Sequence, residues 1–174
     1  MPNWCMNDLT VTGPKKEIAK FKEQSKKDHT TKKNNIENFF AQFVPIPNDI
    51  FRGNVGQKEE ALYGDKTWYT WCPRNWGTKW DANGCVLSVD KPDQLIYVFD
   101  TAWSPPIAWL EKVATLYPKL QFEMNYDEPG MVFSGTAISH KGRILNDERN
   151  FSPSNDEMQD EENLEEARNL EKSK

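Results

Sequence analysis

The apolar pattern of the 174-residue chain predicts an α+β fold. The expected form is a ferredoxin-like split βαβ sandwich, one antiparallel sheet with two helices on one face. Three observations lead there. Leu95-Ile96-Tyr97-Val98-Phe99 is an unbroken run of aromatic and branched residues, the pattern of a central strand. One amphipathic helical segment precedes it and another follows. Two alternating segments then close the domain.

Trp4 to Val11 reads as the first strand, with Leu9 and Val11 among polar neighbours, and Thr12-Gly13-Pro14 punctuates it. Pro14 suits a helix start, and Ile18 and Phe21 share one face of a segment ending near Lys27. Cys85 to Val89 is the expected hairpin partner of the central strand, joined to it through Asp90-Lys91-Pro92-Asp93. Ser104-Pro105-Pro106 opens the second helix with Ser104 as N-cap; Ile107, Leu110, Ala114 and Tyr117 follow at helical spacing and Pro118 closes it. Leu120, Phe122, Met124 and Tyr126 alternate with polar residues. After the turn Asp127-Glu128-Pro129-Gly130, so do Met131, Phe133 and Gly135, which adds an extra C-terminal strand.

Between the first helix and the second strand, residues 34–84 form an insertion too long for an ordinary connection. It begins with Phe39, Phe40 and Phe43 before Pro45-Ile46-Pro47. It ends with Trp68, Tyr69, Trp71, Trp76 and Trp80, so four of the seven tryptophans fall in one loop-like stretch.

Charge divides the chain. Overall there are 22 Lys and Arg against 27 Asp and Glu, a net charge of -5. Residues 146–174 hold ten acids against four bases, which leaves residues 1–145 close to neutral. The expected organisation is a ferredoxin-like domain over 1–145 and an acidic tail over 146–174, disordered or partly helical. Pro14 to Lys33 is a basic block with eight lysines and three acids. No apolar run approaches bilayer length, and the three cysteines are widely spaced, so a soluble cytoplasmic protein is expected.

Five motifs occur in order: Met1-Pro2-Asn3-Trp4-Cys5; Phe43-Val44-Pro45-Ile46-Pro47; Asn75-Trp76-Gly77-Thr78-Lys79-Trp80-Asp81; Thr101-Ala102-Trp103-Ser104-Pro105-Pro106; and Tyr126, Glu128, Gly130, Phe133 and Gly135. The set resembles the YubB-type ferredoxin-like family of bacteriophages and conjugative plasmids, over about residues 1 to 140. The resemblance implies an accessory protein of a mobile element in a bacterial host, and it implies no cofactor, metal or catalytic residue.

The candidate binding residues are Trp71, Arg74, Trp76, Lys79, Trp80, Asp81 and Trp103. Interleaved rings and cations suit base stacking and phosphate contact. The favoured reading is instead a mini-core under the insertion, with Gly77 and Asp81 as turn and anchor. Asp81 and Asp100 raise an acid-base or metal pair, for which spacing alone gives no support. Cys5, Cys72, Cys85, His29 and His140 lack metal-ligand spacing, and buried thiols are expected. Lys15, Lys16, Lys20, Lys22, Lys26 and Lys27 form an electrostatic candidate that is also an ordinary solvated face. In the tail, Asp156, Glu157, Asp160, Glu161, Glu162, Glu165 and Glu166 are candidate partner contacts.

The preferred expectation is a non-catalytic accessory protein that binds a host or element-encoded macromolecule, a protein above all, and inhibits host defence. The alternatives are a single-stranded nucleic-acid-binding module and a small enzyme using Asp81, Asp100 or His140.

Overall fold

A computed structural model describes residues 2–26, 35–140 and 143–150. The fold is α+β, with one antiparallel six-stranded sheet and five helices among the described residues. Strand β1 (Trp4–Thr12) lies at the middle of the sheet, paired with β3 (Gln94–Ala102) on one side and β4 (Gln121–Glu128) on the other. Strand β2 (Asn83–Lys91) forms one edge, and β5 (Phe133–His140) and β6 (Arg143–Asn150) extend the other. The spatial order is β2-β3-β1-β4-β5-β6.

Period-two alternation makes the sheet one-sided. Cys5, Leu9 and Val11 of β1 are buried with Leu95, Tyr97 and Phe99 of β3 and Phe122, Met124 and Tyr126 of β4. Helix α1 (Lys15–Ser25) lays Ile18 and Phe21 on this face, and α5 (Ile107–Leu116) adds Trp109, Leu110 and Val113. Asn7 occupies an inward position without penalty, because its amide donates to Cys5 O at 2.8 Å and to Thr101 Oγ1 at 2.9 Å.

The insertion is helical rather than loop-like, comprising α2 (Phe39–Phe43), α3 (Gln57–Tyr63) and α4 (Trp68–Trp76). Its first part belongs to the main core. Phe39 stacks on Tyr97 at 4.8 Å, and Phe40 lies 4.8 Å from Trp109 and 5.5 Å from Phe99. Gly77 ends α4 at φ 85, where a Cβ would stand 3.2 Å from the backbone nitrogens of Ile107 and Ala108. That position requires glycine both for its conformation and for the close approach of α4 to α5.

Two further sequence expectations change. Ser104 does not cap α5; its hydroxyl donates to Gly77 O at 2.7 Å, while the helix starts after Pro106 with no side-chain cap. Two consecutive prolines remove the N–H groups that a cap would satisfy, which frees the hydroxyl for the insertion. The domain edge expected at residue 145 falls inside β6, which pairs with β5 from Phe133↔Asn150 to His140↔Arg143. An outermost strand needs ladder partners more than a buried face, so its polar sequence carries no alternation signal.

Replacing Phe39 by alanine tests whether the insertion is part of the core. Urea unfolding is expected to show a loss of about 3–5 kcal/mol. A loss below about 1 kcal/mol would place Phe39 on a separate, weakly coupled unit.

Candidate interaction surface

The segment 77–81 is held at three points. Thr78 is buried and its hydroxyl donates to Ala102 O at 3.0 Å, and Ser104 holds Gly77 from the other side. Asp81 accepts from the backbone N–H groups of Phe40 (2.7 Å), Ala41 (3.0 Å) and Ala82 (2.7 Å), which ties the start of α2 to the start of β2. Burial pushes the Asp81 carboxyl upward, and the three N–H bonds pull it down less strongly.

Between these anchors Lys79 and Trp80 project outward. The Lys79 ammonium lies 4.6 Å from the ring centre of Tyr69, 5.3 Å from Trp80, 5.4 Å from Trp103 and 5.9 Å from Trp68. Four rings surround one cation, each contact being worth about 0.5–1 kcal/mol at an exposed site. Trp103 reaches this position at φ 65, with its N–H bonded to Asn3 O at 2.9 Å. Trp80 contacts Trp103 at 5.6 Å and Trp4 at 6.4 Å, which joins the box to the start of the middle strand β1. Trp4, Trp80 and Trp103 remain 36–39% exposed, enough to present a contiguous aromatic rim to a partner.

Beside the rim, under the insertion, is a cleft of about 550 Å³ bordered by Pro45, Arg52, Trp68, Cys72, Lys79 and Asp81. Its charged groups are engaged. Arg52 donates to Ile46 O at 2.6 Å, Lys79 faces the rings and Asp81 holds backbone donors. Burial pushes the Cys72 thiol up to about 12, so it is protonated at neutral pH.

The ferredoxin-like domain described for Api92-like proteins matches residues 75–171, more than half of the chain. The chain belongs to the Api92-like family. The crystal structure of protein api92 from Yersinia pseudotuberculosis is similar to it at TM-score 0.57, covering 88% of this chain and 100% of that one. At 10% identity the likeness is one of fold. No curated protein matches the sequence.

In this Api92-like chain the binding residues expected from sequence separate into two groups. Lys79, Trp80 and Trp103 come together at the surface. Trp76 is buried, its indole donating to Val44 O at 2.9 Å, and Trp71 is half-buried against it. Arg74 turns to Asp65 at 3.4 Å, and Asp81 is an anchor. The mini-core reading thus describes Trp71 and Trp76, and the surface reading describes Trp80 and Trp103. Trp4, Trp68 and Tyr69 complete the rim and box. Their signal lay in the Met1–Cys5 motif and the aromatic stretch, but neither places them together.

Asp100 sits on the sheet face away from the helices, opposite Met6, with its carboxyl pushed up by burial. The Asp81 carboxylate is bound to backbone N–H groups of α2 and Ala82. Cys5, Cys72 and Cys85 are buried free thiols, and among the described residues no group of three or more His, Cys, Asp or Glu is placed to hold a metal ion. On α1, Lys20 pairs with Glu17 at 3.1 Å and Lys22 with Asp90 at 2.6 Å, while Lys15 and Lys16 are exposed and Lys26 follows the helix. Lys27, His29 and the acidic-tail candidates from Asp156 to Glu166 lie outside the described residues. No described helix is long and apolar enough to cross a membrane.

The Asp81 anchor is testable by substitution and pH. Asp81→Ala leaves three N–H groups without their acceptor and is expected to lower stability by about 1–3 kcal/mol. Asp81→Asn keeps one acceptor and is expected to lower it less. The folded-state pKa is raised, so the stabilising contribution of this group is complete below its unfolded value and declines as pH rises through the folded one. The advantage of the native chain over Asp81→Asn should therefore shrink as pH rises from about 4. A difference independent of pH in parallel urea titrations would remove this account of the carboxylate.

Proposed function

We propose that the protein is a non-catalytic binding protein, a YubB-type accessory factor of a phage or other mobile element. In this reading it works in the cytoplasm of a bacterial host, engages a host or element-encoded protein, and inhibits host defence by occupying that protein. The split βαβ arrangement is scaffold. The contact surface is the aromatic rim.

The observation that carries the reading is the exposure of Trp4, Trp80 and Trp103 side by side, continuous with Lys79 and its ring box. Large exposed aromatics are enriched in the central contacts of protein interfaces, and a contiguous apolar patch on a globular domain marks an interaction site. The binding role is further supported by the state of the cleft groups. Asp81 is bound to three backbone donors and Cys72 is a buried thiol, so neither is poised for general acid-base or nucleophilic work.

A nucleic-acid reading draws on the same rings. It is favoured by the cation among them and opposed by the dispersal of the expected platform: Trp76 is interior and Arg74 is paired elsewhere. Unchanged tryptophan fluorescence on titration with single-stranded DNA or RNA at low salt would remove it.

The protein-binding reading is tested by capture from phage-infected bacteria. The intact chain is expected to recover a stoichiometric protein that Trp80→Ala/Trp103→Ala loses. Because both rings are exposed, the melting temperature of this variant should stay within a few degrees. The loss in affinity should exceed about 2 kcal/mol, the scale of an interface hot spot. No stoichiometric partner, or equal recovery by the variant, would count against the rim as the contact.

A further inference from the structure

Helices and insertion cover one face of the sheet, while the opposite face presents side chains from β3, β1 and β4. The strand register places these residues. Met6 lies between Asp100 and Asp127, Asp8 between Val98 and Asn125, and Thr10 between Ile96 and Glu123. Asp8 is therefore the diagonal neighbour of Asp100, Asp127 and Glu123 at once. Diagonal positions on a sheet are about 7–8 Å apart, within range of mutual repulsion.

Among the described residues, none of these four carboxylates takes part in an ion pair. The basic groups that share the face by register are on the outer strands. On β2, Lys91 pairs with Gln94 of β3. On β6, Arg143 pairs with His140 at the end away from Asp127, and Arg149 takes the position opposite Ser134. The three middle strands contribute acids to the face and no Lys or Arg. The same rows expose Met6 at 49% and Val98 at 40%, and Trp4 continues them into the rim. The surface thus combines unneutralised acid with exposed apolar area.

We propose that this face binds a basic polypeptide segment, with Lys or Arg side chains over the carboxylates around Asp8 and apolar side chains on Met6, Val98 and Trp4. The inference rests on the binding-protein reading and names the chemistry of its partner. Charge complementarity selects this occupant. A cationic chain relieves the repulsion among the four acids and is steered toward them, whereas a nucleic-acid backbone adds to it. The cleft beside Trp4, Met6 and Asp100, about 380 Å³ in volume, gives one long side chain a seat where face and rim meet.

The test uses the full chain and a fluorescent peptide in which Lys alternates with Leu, read by anisotropy at low and physiological ionic strength. Saturable binding is expected, weakening with salt and weakening about tenfold or more in Asp8→Asn/Glu123→Gln/Asp127→Asn. These positions are exposed, and an unchanged thermal unfolding curve checks that the variant is folded. A second variant, Glu161→Gln/Glu162→Gln/Glu165→Gln/Glu166→Gln, should bind the peptide as the native chain does.

The proposal is overturned if the peptide does not bind, or if the tail variant loses binding while the face variant keeps it. It is also overturned if a Glu-Leu peptide or an oligothymidylate binds as tightly. Self-association abolished by the face substitutions would assign the face to a second copy and overturn it as well. Failure of the peptide alongside a partner that Trp80→Ala/Trp103→Ala loses would remove this inference and leave the rim reading standing. Peptide binding with no rim-dependent partner would do the reverse.

Discussion

The packing of Phe39 and Phe40 among Tyr97, Phe99 and Trp109 is the contact on which the rest of this structure depends. It merges the insertion with the sheet and α5 in one buried cluster. Phe43 extends the cluster to Phe21 of α1 at 4.5 Å, so both main helices meet through residues of the insertion. Each such ring buries about 150–250 Å² of surface, and geometry adds to area when rings meet edge-on or offset. Polar groups at the junction are satisfied locally: the Trp109 indole donates to Phe40 O at 3.2 Å, and Asp81 accepts at the start of α2.

From that contact the two surfaces follow. Because insertion and helices stack on one side, the middle strands send their alternate residues into a face that the described residues leave uncovered. Because the insertion returns to β2 past the start of α5, its last turn runs along the 101–104 corner. Thr78 and Ser104 fasten that turn, which places Lys79 and Trp80 against Trp103. The aromatic rim is the outer margin of the same assembly whose inner part is core. The buried thiols belong to the inner part, where apolar surroundings keep them protonated and inert.

Legibility in the sequence followed this division. Strands β1 and β4 could be read because their inward residues alternate, β3 because Leu95 to Phe99 is an unbroken apolar run, and α5 because Ile107, Leu110 and Ala114 recur at helical spacing. Strand β6 was not legible, since a polar edge strand is specified by its neighbour's ladder. The role of Ser104 was misread because its partner is 27 positions away, beyond any local rule. Of the seven candidate binding residues, Lys79, Trp80 and Trp103 lie together at the surface, whereas Trp71 and Trp76 carry the same residue type, lie within nine positions of Trp80 and pack inward. Composition cannot separate a ring that packs inward on a short helix from one that a glycine turn swings outward.

The sequence by itself determined what depends on neighbours along the chain: the α+β class, the order of the main elements, the acidic balance of residues 146–174, and the residues eligible for core or surface. Only the tertiary structure decided which aromatics were spent on the core, which backbone donors Asp81 holds, and that Asp8 stands diagonal to three other carboxylates. The physical reason is range. Alternation and helical spacing act over a few residues, whereas burial, ring contact and charge repulsion depend on distances across strands that only the fold brings together.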